Sequence, residues 1–202
     1  VSGTATRRAF VLGVAGLGAG LALDACSSPA PSPYDTASLQ TVALGAALEN
    51  QAVSAYQAFA AALRAGRFGR TDPALDAFVR SATAHHTEHA ATWNAILREA
   101  RKPAVSGIPL TDHGHVLDTI AAATSVGAVV SALEDLENRA AQTHVAAAGS
   151  LHDNGPAVLA AATIAPVEAM HAATLGRLWG GRQAVASLLG TDAAASRREL
   201  TG

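Results

Sequence analysis

Four helix-length segments of this chain concentrate side chains able to ligate a metal. The first carries Glu49 in Ala-Leu-Glu-Asn-Gln, the second His85-His86-Thr-Glu-His89, the third Glu134 in Ala-Leu-Glu-Asp-Leu-Glu, and the fourth Glu168-Ala-Met-His171. Five of the seven Glu in the whole chain sit in these segments. Glu168 and His171, three residues apart, share one side of a helical turn, as do His86 and His89. Carboxylates turned into an apolar bundle are costly to bury unpaired. A divalent cation neutralises several at once, and mixed oxygen and imidazole donors suit iron, manganese or zinc. The expected ligands are Glu49, His86, His89, Glu134, Glu168 and His171, with Tyr56 and Glu137 behind them. His85 is an equal alternative to His86 for the inward position, since it stands four residues before His89.

A single Glu-x-x-His is more often a surface pair than a site, and it is the recurrence over four segments that favours a centre. Asp112-His113-Gly114-His115 reads as an exposed polar turn rather than a second metal site, and Trp93 and Trp179 as core. No side chain is assigned a catalytic role.

Helices must position these groups. Half the residues are apolar, mostly Ala, and aromatics are only 4%, which favours helix over sheet. In residues 36–65, Leu44, Leu48, Ala52, Ala55, Phe59 and Leu63 recur at spacings of three and four, and Glu49 and Tyr56 lie two turns apart on one face. The second segment, 73–101, starts with Asp72 as N-cap and Pro73 in the first turn. The third, 125–149, has Ser125 as N-cap and places Glu134, Glu137, Ala141 and His144 on one face. The fourth, 156–179, contains Pro166, which is expected to kink it just before Glu168. Residues 102–124 hold Pro103, Gly107, Pro109 and Gly114, with room for a short helix from Val116. A connection this long lets the third helix run parallel to the second. An all-α four-helix bundle with a crossover between helices 2 and 3 is predicted.

The formal net charge is −2, and no basic stripe exists, so nucleic acid is not expected as a partner. Thr6-Arg7-Arg8-Ala9-Phe10 precedes an uncharged apolar run to Leu23, too short to span a membrane, and reads as a twin-arginine export signal over residues 1–25. Cys26, the only cysteine, closes Leu23-Asp24-Ala25-Cys26, which resembles a lipobox. Lipidation of Cys26 would anchor the protein to the membrane at the cell envelope, outside the cytoplasm, on a Ser/Pro linker of residues 26–36. The bundle is expected over 37–181 and a polar C-terminal tail over 182–202; a homo-oligomer is left open.

Leu48-Glu49 with Tyr56, His85 with His89, Ala132-Leu133-Glu134-Asp135 and Val167-Glu168-Ala169-Met170-His171-Ala172 together resemble the exported ferritin-like domain family of bacteria, a distant relative of ferritin and rubrerythrin. The resemblance covers residues 39–181 and implies a dimetal or vestigial dimetal centre. Glu49, His89, Glu134, Glu168 and His171 take its ligand positions, and His86 stands where the family pattern has a bridging Glu. Three carboxylates leave a buried positive charge beside two divalent ions unless hydroxide or Glu137 compensates, so one ion per chain rather than two is expected. The activity implied is oxidation of Fe(II) by oxygen or peroxide, a ferroxidase- or peroxidase-type oxidoreductase in iron handling or oxidative protection. The alternative is a non-enzymatic envelope binding or structural protein with a degenerate site.

Overall fold

The computed structural model describes residues 33–179 and 190–201. The expected leader with its paired arginines, Cys26, most of the linker and residues 180–189 lie outside the described residues. Helix α1 spans Ala37–Arg64, α2 Pro73–Glu99, α3 His113–Ala122, α4 Val126–Ser150 and α5 Gly155–Leu178. Side-chain caps set four of the starts. Thr36 accepts from the Leu39 N–H, Asp72 from Ala74, Ser125 from Ala128 and Asn154 from Ala157, satisfying donors that a first turn leaves free. Pro166 lies on the exposed side of α5, and the helix runs through it rather than breaking.

Side-chain pairs fix the directions. Glu49 meets His86 while Tyr56 meets Phe78, so α1 and α2 are antiparallel. Glu49 also meets His144 and Tyr56 meets Glu137, so α1 and α4 are antiparallel too. Helices α2 and α4 therefore run parallel, and the long connection between them is the crossover. Asn94 receives the Val105 N–H at 2.7 Å, and Asn50 donates to the Val105 and Gly107 carbonyls at 3.0 and 2.9 Å, holding its irregular backbone. Arg67, in the α1–α2 turn, donates to the carbonyls of Ile120, Ala121 and Ala123 at the end of α3.

The C-terminal segment also binds the crossover. The Thr111 N–H donates to Glu199, the Thr201 N–H donates to Pro109, and Leu110 and Leu200 form an isolated antiparallel bridge. Arg139 of α4 pairs with both Asp112 and Glu199. Residues expected as a polar tail thus clasp the outside of the bundle.

The apolar core is divided in two. One half gathers Val42, Leu48, Trp93, Leu97, Leu151 and Ile164; the other gathers Phe59, Leu75, Val79, Val130, Leu133 and Leu175. The ionisable side chains lie between them. Helix α5 is long and apolar enough to cross a membrane by length and composition alone, and here it packs antiparallel on α4.

Candidate metal centre

Between the apolar halves, every core helix turns a carboxylate or an imidazole inward. Glu49, His86, Glu137, His144 and Glu168 are fully buried, and His171 is buried almost completely. His89 is half-buried at the edge. Isolated charges would be expensive there, and the groups meet in pairs.

His86 occupies the middle. Its Nδ1 lies 2.8 Å from Glu49 Oε2 and 3.6 Å from Glu168 Oε1, while its Nε2 lies 3.1 Å from Glu137 Oε1. His89 Nδ1 approaches Glu168 Oε1 at 2.7 Å and Glu49 Oε2 at 3.6 Å. His171 Nδ1 approaches Glu168 Oε2 at 3.1 Å and Glu137 Oε1 at 3.4 Å. Glu168 therefore spans two neighbouring groups of donors. Glu49, His86, His89 and Glu168 form one group; His86, Glu137, Glu168 and His171 form the other. Within each, the donor atoms lie within 4.8 Å of one another. Donors bound to one ion at about 2.0–2.2 Å stand at most about 4.4 Å apart, so small side-chain shifts would close either group.

The donor chemistry fits a metal. Each group offers two carboxylates and two imidazoles, a set suited to iron, manganese or zinc. Glu137 Oε2 is buried with no hydrogen-bond partner, an acceptor left without its usual donor. Around the groups, other side chains hold the ligands in place. Tyr56 donates to Glu137 Oε1 at 2.5 Å and stacks on His86, ring centroids 5.5 Å apart. His144 Nε2 lies 2.6 Å from Glu49 Oε1, and its ring stacks on Trp93. Such partners fix ligand orientation.

Protonation follows the same contacts. Burial would raise Glu49, but hydrogen bonds from His144, His86 and His89 hold it well below the usual carboxylate range. Burial would raise Glu137 too, but the neighbouring His86 charge together with hydrogen bonds from His171 and His86 holds it low. Burial would lower the imidazoles, yet Glu137 and Glu168 hold His86 well above its ordinary value. Hydrogen bonds to Glu168 and Glu49 lift His89 to about 9, and those to Glu137 and Glu168 lift His171 to about 9. These contacts favour the charged forms of His86, His89 and His171 and of Glu49 and Glu137.

Five of the six sequence-derived ligand positions converge here: Glu49, His86, His89, Glu168 and His171. The sixth lies apart. Glu134 is buried but belongs to neither donor group, and its carboxylate packs over Gly176 of α5, where a Cβ would come within 2.8 Å of Glu134 Oε1. Glu137, expected behind the ligands, takes the inward place on α4 one turn later. His86 rather than His85 points inward; His85 Nδ1 instead contacts His171 Nε2 at 3.0 Å near the surface. Burial and the His171 and His89 charges lower the pKa of His85. His144 was not expected at the centre, although it lies two turns beyond Glu137 on the same face. Asp112 and His115 fall in neither group, and Asp112 is taken by Gln51 and Arg139.

A family model described as ferritin-like domain matches residues 40–181. No curated protein and no solved structure matches the chain.

Proposed function

The chain belongs to the ferritin-like domain family, and from that premise we propose that it binds iron or a similar divalent metal at the buried centre and oxidises Fe(II). The observation that carries this reading is the pair of donor groups sharing His86 and Glu168 in an otherwise apolar interior. Glu49, His89, Glu137 and His171 would complete the ligand set, and bound iron would supply one-electron redox chemistry. The substrate is Fe(II), each ion losing one electron to oxygen or peroxide.

The protein's part is placement and exclusion. Trp93 and Leu48 on one side, with Phe59 and Leu133 on the other, keep water from the donors. Tyr56 and His144 hold Glu137 and Glu49 by their hydroxyl and imidazole. His89 and His85 form the more exposed side, which is the natural way in for an ion. His85 against His171 offers a proton route between the centre and that side.

The location in this reading is the cell envelope: export by the twin-arginine route, and membrane attachment through lipid on Cys26. It rests on Arg7-Arg8, the apolar run and Leu23-Asp24-Ala25-Cys26. A second reading, a metal-free envelope binding or structural protein, is favoured by the way the buried imidazoles and carboxylates already pair with one another.

Anaerobic addition of Fe(II) to the purified protein, followed by oxygen or peroxide, separates the two. Fe(III) should form faster than in protein-free buffer, and Glu168→Gln should slow it by about tenfold or more, because both donor groups lose a charged ligand. Oxidation at the buffer rate with wild-type protein would favour the second reading.

A further inference from the structure

The ring of His86 is placed between the two donor groups and not inside one of them. Its Nδ1 faces Glu49 and Glu168, next to His89, whereas its Nε2 faces Glu137, next to His171. A side chain serving one ion would present one nitrogen and leave the other to a structural hydrogen bond. Here both nitrogens meet carboxylate oxygens from different helices, Glu49 of α1 and Glu137 of α4. The ring cannot easily turn away. Tyr56 stacks on it at an interplanar angle of 29° and donates to Glu137, and His89 stands against its edge.

We infer that His86 is a bridging ligand, giving Nδ1 to one divalent ion and Nε2 to a second. This deepens the metal-binding reading above and rests on it. A ring metallated on both nitrogens carries no N–H proton and one negative charge; both protons of the imidazolium pass to solvent as the two ions bind. With the carboxylates of Glu49, Glu137 and Glu168 it makes a ligand set of four negative charges. That balances two divalent ions in a site where a residual charge would be costly. As a neutral ligand using one nitrogen, His86 would leave the centre short of charge for a second ion; its two carboxylate-facing nitrogens remove that limit. Glu168 also spans both groups, through Oε1 to His89 and Oε2 to His171, so the two ions would share two bridging side chains. The ions would sit on opposite edges of an imidazole, farther apart than a carboxylate alone requires. The site therefore suits pairs of divalent ions that bind nitrogen well.

Cu(II) is the probe, because it binds mixed imidazole and carboxylate sites more tightly than the other first-row divalent ions and has one unpaired electron. The full-length protein is titrated with Cu(II), desalted, analysed for copper, and examined by electron paramagnetic resonance. Two ions per chain are expected, with a signal well below that of two isolated Cu(II) because the bridge couples their spins. In His86→Asn, which keeps Glu168, the coupling should be lost. Circular dichroism establishes that the variant is folded, and the wild-type spectrum decides the matter even if it is not. Two ions with full, uncoupled intensity would overturn the bridge, as would a single ion per chain. Coupling that persists in folded His86→Asn would assign it to Glu168 and overturn it too. Those outcomes leave metal binding intact, whereas no retained copper would remove both the bridge and the reading beneath it.

Discussion

Gly45→Ala tests whether the packing behind Glu49 is as tight as the structure makes it. Gly45 lies on the buried side of α1 beneath Trp93, and a Cβ there would stand 2.7 Å from Trp93 Cε2, 2.9 Å from Cδ2 and 3.0 Å from Nε1. Non-bonded carbons rest at about 3.5–4.0 Å, so the indole must retreat by about 0.8 Å. It has little room, being fully buried and stacked at 5.5 Å on His144, which holds Glu49 Oε1. Overpacking of this kind costs about 1–3 kcal/mol. Replacing Gly by Ala inside a helix returns about 1 kcal/mol. The net expectation is a loss of about 0–2 kcal/mol, or up to about 8 °C in Tm for a chain of this size. Metal affinity should fall as well, because Glu49 loses its fixed partner. Adding Trp93→Phe should recover part of the loss, so thermal melts of the two single variants and the double variant measure the coupling directly. A raised Tm in Gly45→Ala alone would mean that Trp93 yields freely, and the rigid support of Glu49 would be wrong.

Three further outcomes are expected. Stability of the metal-free protein should be greatest between about pH 4.5 and 6.5. His89 and His171, raised to about 9, contribute stability that is complete below their unfolded value and lost as pH rises through 9; Glu49 and Glu137, both lowered, contribute stability lost in acid. Denaturant melts across pH after chelation would show this, and a flat profile from pH 6 to 10 would refute it. Glu137→Gln should weaken metal binding by about tenfold or more while Glu134→Gln changes it less, read by competition with a chromophoric chelator; the reverse order would restore Glu134 as the ligand. Cys26→Ala should move the protein from the membrane to the soluble fraction in a producing cell, and unchanged membrane retention would remove the lipid anchor.

The helices were legible because their starts are written in local chemistry. Asp72 and Ser125, read as caps in the sequence, do cap their helices through bonds to residues two or three positions away, and Thr36 and Asn154 cap in the same way. The crossover was legible from length and from its Pro and Gly content. What could not be read was the choice between close neighbours on one helix. His85 and His86 differ by about 100° around α2, and the position of Glu49 on α1 decides between them. Glu134 and Glu137 share the buried face of α4, and Gly176 on α5 makes room for Glu134 outside the donor groups. His144 joins the centre through Glu49, 95 residues earlier, a contact that no periodicity within α4 reveals. The clasp of Glu199 and Thr201 on the crossover is equally non-local. Faces come from local sequence; partners come from tertiary packing.

The most direct measurement is the metal content of the purified full-length protein, by elemental analysis after separate anaerobic loading with Fe(II), Mn(II) or Zn(II) and desalting. Wild type should retain at least one ion per chain, and Glu168→Gln, which loses a charged donor from both groups, should retain less while staying folded. No retained ion in the wild type, or equal retention in the two proteins, would contradict a metal centre at Glu49, His86, His89, Glu137, Glu168 and His171.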